Sequence, residues 1–363
     1  MAKQYLIINT CGTSILTNPA RDNSDLWGIL TQYSNATKED DIPVEKYNKV
    51  KQHWDNLLNE WLNKNESDAK KGSAELNCLL TWQRKKQIKN EDCICYLVYT
   101  DTVFGELAAM LIEEWLKQNQ YLSVHLQKIN SLNTSNINTF ESGLSNLVRW
   151  SYEIKDYYSN LQTIFNTAGG FKSFSGFMQT LGTFIADETI YKFEGGDEVL
   201  EIPRLPIIWS ELESIKQHFD DYHKIALGIE IDSYSHLNSL WIKNKHFTPW
   251  GQLAWENAKQ QLYTEKVYSL VYDKIKEGKD FRGSIKNLSA DRIKQINERL
   301  DDLVIYKMSN GLNNPRRLDY KKVRGTQAYS NECDAWADQD AKRLFCNEKG
   351  NIIIVEKLDK ALH

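Results

Sequence analysis

The stretch Ile164-Phe165-Asn166-Thr167-Ala168-Gly169-Gly170-Phe171-Lys172-Ser173 decides how this chain folds. It follows a short apolar run and precedes Ser175 to Ala186, whose apolar residues recur at helical spacing, so it predicts strand, glycine turn, helix. Such a turn presents bare backbone N–H groups at a helix N-terminus. Glycine lets a ligand approach the main chain, the amides favour anionic oxygens, and Lys172 adds a charge where a phosphate would sit. A glycine pair after a strand is equally a plain tight turn, so a second loop is needed to choose.

That second loop is near the start. Gln4 to Ile8 is a continuous apolar run of the kind found in strands buried on both faces of a parallel sheet. It ends in Asn9-Thr10-Cys11-Gly12-Thr13-Ser14, whose hydroxyls and amides could face one ligand; Thr13 or Ser14 could instead cap a following helix. Residues 20 to 90 predict helices with a solvated loop near 64–73 and a charged Lys/Glu face. Cys93 to Tyr99 is the next strand, running into Thr100-Asp101-Thr102 and an apolar helix from Leu107 to Leu116. Ser123 to Ile129 predicts a strand, Thr139 to Tyr158 a helix, and Leu161 to Phe165 the strand that feeds the glycine loop. Alternating strands and helices imply an α/β, doubly wound parallel sheet, whose default ligand crevice lies at the carboxyl ends of the strands. Thr10 to Ser14, Thr100 to Thr102 and Asn166 to Lys172 all fall on that edge. Thr189 to Glu194 and Val199 to Ile207 then form a hairpin about a glycine turn.

With 363 residues, 41% hydrophobic and 26% charged, the chain is long enough for two or three domains. A formal net charge of −4 excludes a global basic field, so any nucleic-acid contact needs a local patch. Cys11, Cys78, Cys93, Cys95, Cys333 and Cys346 form no C-x-x-C pair and have no histidine at ligand spacing, which argues against a zinc site or a disulfide framework. No run approaches the ~18 apolar residues of a membrane span, and the N-terminal apolar run meets a polar stop too soon for a signal peptide. A soluble cytoplasmic protein without metal or cofactor is expected, with no membrane partner.

The three motifs in order, Asn9-Thr10-x-Gly12-Thr13-Ser14, Asn166 to Lys172, and the hairpin from Ile190 to Pro206, resemble a CARF domain, the sensor module of type III CRISPR defence. The resemblance covers about residues 3–210. It implies a Rossmann-like homodimer that binds a cyclic oligoadenylate, most often cyclic tetra-adenylate, across its two-fold axis. Carried onto this chain, the ligand-binding residues are Thr10, Gly12, Thr13 and Ser14, with Asn166, Gly169, Gly170, Phe171 and Lys172, and more loosely Thr100, Asp101 and Thr102. Relatives that also cut the ring share the serine and the lysine, so Ser14 and Lys172 could bind the ring or help open it.

Residues 207–300 carry no strand signal beyond Ile207 to Trp209; Trp209 to Phe219, Trp250 to Lys276 and Ala290 to Met308 have helical spacing. His223, His236 and His246 are spaced too irregularly for a metal, and Trp241, Trp250 and Trp255 are expected to pack. After Gly311 the chain turns basic, with Arg316, Arg317, Lys321, Lys322 and Arg324 around Tyr320, a patch suited to phosphates. Asp334 to Trp336, Lys342 to Asn347 and Asn351 to Lys357 predict an antiparallel meander after helices. This order, with Lys322-Val-Arg324-Gly, Arg343-Leu-Phe and a terminal Lys360 and His363, resembles the RelE family of ribosome-dependent mRNA-cutting toxins over residues 285–363.

That resemblance implies metal-independent cleavage. Arg343 would clamp the phosphate, His363 would act as general acid or base, and Lys360, Lys322 and Arg324 would hold the RNA backbone. The carboxylate that some relatives use as base has no clear match, Glu332 and Asp334 being only nearby. The whole is expected to divide into a sensor at 1–208, a helical connector at 209–284 and a nuclease at 285–363. It would cleave mRNA, at the ribosome, when a homodimer binds cyclic oligoadenylate. The alternatives are a ring nuclease and a ligand-controlled DNA-binding regulator.

Overall fold

A computed structural model describes residues 3–193, 196–206, 212–323 and 328–360. The chain divides into two compact units, Met1–Ile208 and Trp209–His363. The first is α/β. Its strands β1 (Tyr5–Thr10), β2 (Cys93–Thr100), β3 (Ser123–Ile129), β4 (Gln162–Asn166), β5 (Glu188–Lys192) and β6 (Val199–Pro203) form one sheet in the order β3-β2-β1-β4-β5-β6. All neighbours are parallel except β5 and β6, which pair as an antiparallel hairpin. The central strands read as unbroken apolar runs because both faces are covered: Leu6, Ile7, Ile8, Leu97, Ile164 and Phe165 are all fully buried.

Helices α1 (Ser14–Thr17), α2 (Ser24–Gln32), α3 (Val44–Trp61), α4 (Glu66–Gly72), α5 (Ala74–Lys86), α6 (Val103–Gln118), α7 (Ile137–Tyr157) and α8 (Lys172–Ile185) complete this unit. The stretch read as a solvated loop at 64–73 is in fact α4: Asn65 caps it by accepting the N–H of Asp68, and Ala69 anchors it in the core. Side chains of Asn23, Asn65, Ser73, Thr102 and Asn136 cap α2, α4, α5, α6 and α7. Helices α1 and α8, which leave the two glycine-bearing loops, have no side-chain cap.

The second unit holds two apolar cores. In the first, α9 (Leu212–Gln217), α10 (Phe219–Ala226) and α11 (Pro249–Glu265) enclose Phe219, Tyr222, Trp241, Trp255 and Tyr263, closed by a short hairpin of β7 (Ile242–Lys243) and β8 (His246–Phe247). Trp241 and Trp255 pack here, whereas Trp250 is half exposed. In the second, α13 (Ala290–Met308) lays Ile296, Leu300, Leu303 and Val304 on a five-stranded sheet. That sheet has the order β10-β11-β12-β13-β9, from β9 (Ile275–Glu277), β10 (Lys321–Lys322), β11 (Asn331–Trp336), β12 (Lys342–Lys349) and β13 (Ile352–Lys360). It is antiparallel apart from β9, which runs parallel to β13.

The reading of 207–300 as free of strands therefore needs correcting. The β7/β8 turn is made by Asn244 and Lys245 at positive φ, without the glycine that would have announced it. Strand β9 is three residues long and takes its place only by pairing with β13. Helix α11 ends at Glu265, so the helical spacing seen as far as Lys276 runs past it; α12 (Phe281–Ser284) follows β9. Residues 207–211, at the start of the supposed helix from Trp209, lie outside the described residues.

Candidate functional site

The carboxyl ends of β1, β2 and β4 are neighbours in the sheet, so their loops share one edge. Thr10 is fully buried, and its hydroxyl donates to the Gly169 carbonyl at 2.7 Å, tying the first loop to the glycine loop. Ser175 donates to the same carbonyl at 2.7 Å. Asn166 is also buried: its Nδ2 donates to Asn9 Oδ1 and to the Glu75 carbonyl, each at 2.9 Å, while its Oδ1 accepts the Ala168 N–H. Gly170 has φ +83, the left-handed region that favours glycine, and a Cβ at Gly12 would stand 2.9 Å from the Gly170 nitrogen. These glycines are needed for the loops to pack on each other.

Thr13 and Ser14 are partly exposed at the uncapped start of α1. Phe171 lies between Phe140 and Phe174, with centroids 5.6 and 5.8 Å away, and Lys172 is exposed at the uncapped first turn of α8. Of the residues picked out by sequence, Thr10, Asn166 and Gly169 are buried ties, whereas Thr13, Ser14, Phe171 and Lys172 make an accessible rim. A rim of helix N–H groups beside a lysine suits an anionic oxygen.

The third loop is occupied with local structure. Thr102 Oγ1 accepts the Gly105 N–H at 3.1 Å and lies 2.9 Å from Thr100 Oγ1, while Asp101 accepts the Ser131 N–H at 2.9 Å. Burial, and then Glu75, pushes the Cys11 thiol well above its ordinary value, so it stays protonated. Among the described residues no cluster of His, Cys, Asp or Glu could hold a metal.

Sequence reasoning missed Glu75. It is 1% exposed and reaches under both loops, its Oε1 accepting the Gly12 N–H at 2.9 Å. Ser73 just ahead of it signals a helix start, but the partner lies 63 residues away and only the folded chain brings the two together.

The second cluster lies on the face of β11, β12 and β13 that turns away from α13, where Phe345 and Glu332 are buried and Arg343 is partly exposed. Leu344 and Cys346 alternate inward to α13, so Arg343 and Phe345 point the other way. Asp334, Arg343 and Asp359 are aligned across the three strands. Arg343 Nη1 donates to Glu332 Oε1, and its Nε lies 3.3 Å from Asp334 Oδ1. The guanidinium is thus held by two carboxylates, and Glu332 is 4% exposed. These are the acids that sequence could place only nearby. Lys357 donates to Asp359 at 2.5 Å, which holds that carboxyl below the ordinary aspartate value, and sits over the Tyr329 ring at 5.5 Å. Tyr329 packs on Phe345 with centroids 5.2 Å apart.

Lys360 is opposite Lys342 at the exposed end of β13, and Lys322 is opposite Asn331 on the edge strand β10. Of the basic stretch, Arg317 is committed to Asp302 by two hydrogen bonds, at 2.9 and 2.8 Å. Arg324 and His363 lie outside the described residues.

His223 is buried and paired with Asp301 at 2.7 Å, and His236 lies 2.8 Å from Asp221. Among the described residues no helix is long and apolar enough to cross a membrane.

Residues 70–205 match a family model described as CRISPR-associated protein (Cas_APE2256). The match begins within α4, just ahead of α5, and runs past β6, so it includes Glu75 and the glycine loop but not the Thr10–Ser14 loop, and it supports a CRISPR-associated protein. No curated protein matches the chain.

Proposed function

We propose that this chain is a CRISPR effector in which the N-terminal unit senses a cyclic oligoadenylate and the C-terminal unit is a metal-independent, RelE-like ribonuclease that cuts mRNA at the ribosome. One observation carries the reading. A chain with a CRISPR-associated segment brings the loops Thr13–Ser14 and Gly170–Lys172 to one sheet edge, and separately holds a partly exposed arginine between carboxylates on an antiparallel sheet. A cyclic ligand with repeated phosphates suits an isologous homodimer in which each subunit supplies the same rim.

In the nuclease reaction the RNA 2′-hydroxyl attacks the adjacent phosphorus. Its proton passes to Asp334, the more accessible of the two acids, and the bond to the 5′-oxygen breaks as His363 protonates that oxygen, leaving a 2′,3′-cyclic phosphate. Arg343 steadies the phosphate charge, and a bound phosphate must displace at least one of its carboxylate contacts. Lys322, Arg324 and Lys360 hold the RNA backbone. The ligand acts by binding the active arrangement more tightly than the resting one.

The test is mRNA cleavage by purified protein with and without cyclic tetra-adenylate and ribosomes. Cleavage that needs all three and is lost in Arg343→Ala supports the reading; a product pattern unchanged in Arg343→Ala rejects it. Opening of the ring in the N-terminal unit is a second reading. The exposure of Lys172 beside an uncapped helix start favours it, because Arg343 by contrast is already engaged. Ring cleavage lost in Lys172→Ala would establish it.

A further inference from the structure

Glu75 belongs to no strand-turn-helix unit of the candidate ligand edge, yet it touches both loops. Its Oε1 accepts the Gly12 N–H at 2.9 Å and is the atom that a Cβ on Gly169 would strike. Its Oε2 accepts the Ser73 hydroxyl at 2.7 Å, and its main-chain carbonyl accepts Asn166 Nδ2 at 2.9 Å. Asn166 in turn holds Asn9 and the Ala168 N–H at the base of the glycine loop. At 1% exposure Glu75 cannot touch a ligand in the crevice, so whatever it does for binding passes through these loops.

We infer that Glu75 is a positioning residue that keeps the Thr10–Ser14 and Ala168–Lys172 loops in register, acting through the reach of its acceptor and not through its charge. The inference rests on the sensor reading for its ligand consequence. Both partners of the side chain are neutral, a peptide N–H and a hydroxyl. An amide of the same length can still accept from Gly12 and donate to Ser73 Oγ, whereas a carboxyl one methylene shorter withdraws from Gly12 and leaves its partly buried N–H unmatched.

The experiment compares amide hydrogen exchange in the full chain for wild type, Glu75→Gln and Glu75→Asp. Glu75→Asp should exchange roughly tenfold faster at 11–14 and at 168–172, the effect of one lost, partly buried hydrogen bond, with the strands unchanged. Glu75→Gln should match wild type. The inference is overturned if the glutamine variant loosens as much as the aspartate one, if fewer than both loops respond, or if the central strands exchange faster to the same degree. Titration with cyclic tetra-adenylate separates this from the ligand reading. Glu75→Asp should bind roughly tenfold more weakly and Glu75→Gln as wild type. A wild type that binds no ring, with both loops loosened in Glu75→Asp, rejects the ligand reading and leaves the positioning role standing.

Discussion

Each half of the chain buries a glutamate beneath its candidate chemistry, and the two are satisfied by different means. Glu75 is held by a peptide N–H and a hydroxyl, while Glu332 is held by the guanidinium of Arg343. In the first, neutral donors set geometry and can be exchanged for others of the same reach. In the second, a buried negative charge is matched by a side chain that is also the proposed phosphate clamp. The N-terminal edge is therefore a problem of shape, and the C-terminal face one of charge balance.

The largest effect should come from taking the cation away. In Arg343→Ala the Glu332 carboxylate stays buried without its partner, a change that costs about 3–5 kcal/mol in well-buried pairs. The Arg343 side chain keeps 23% exposure, so the low end of that range applies, read as a fall in the urea midpoint. Arg343→Ala with Glu332→Gln should regain most of the loss. If the double variant is no more stable than the single one, the charge-balance account is wrong. Activity should behave differently, because the double variant restores stability but not the clamp.

Next in size is Gly169→Ala. The added Cβ meets Glu75 Oε1 and the Thr10 carbonyl at once, and the carbonyl belongs to a buried strand end that cannot move aside. Overpacking of this kind costs about 1–3 kcal/mol, visible as a lower melting temperature. Gly176→Ala is the control: nothing lies within 4 Å of its Cβ, and it should be neutral or slightly stabilising. Equal melting temperatures for the two variants would mean that the glycine loop does not need its close packing.

A smaller change is expected for Ser73→Ala. It removes the cap of α5, whose hydroxyl accepts the Leu76 N–H at 3.2 Å, and one of the two donors to Glu75. About 1 kcal/mol is the usual cost of a lost cap, and Ser73→Thr should recover most of it. A much larger loss would show that Glu75 depends on this hydroxyl more than on Gly12.

The contrast also explains what the sequence could disclose. Strand, glycine turn and helix are local patterns, so β1, β2, β4 and the rim residues Thr13, Ser14 and Lys172 could be read from periodicity and punctuation. Glu75 could not, because its partners are remote in sequence and its own neighbourhood reads only as a helix start. On the C-terminal face Arg343, Glu332 and Asp334 were each visible, but their pairing depends on the β11/β12 register, which periodicity does not fix. Strand β9 was hidden because three residues carry no period, and α4 because its composition is that of a loop.

A third buried acid makes the comparison quantitative. Asp301 on α13 stands where the two cores of the second unit meet, paired with His223 of α10 at 2.7 Å and with the Tyr263 hydroxyl of α11 at 2.7 Å; Lys259 lies 3.8 Å away. Burial by itself would raise its carboxyl, but His223, then Lys259 and Tyr263, outweigh that and hold it below the ordinary aspartate value. A carboxyl lowered in the folded state gives stability that is fully present above the unfolded value of about 3.9 and is lost as pH falls through the folded value. The stability difference between wild type and Asp301→Asn should therefore be kept at neutral pH and shrink as pH drops below about 4. Because His223 is the chief group lowering it, His223→Gln should bring the folded value back up toward the unfolded one, so the pH-dependent part of that difference becomes smaller while its upper limit stays at about 4. If the pH-dependent difference keeps its full size, His223 is not what holds Asp301, and the junction depends on Lys259 and the Tyr263 hydroxyl instead.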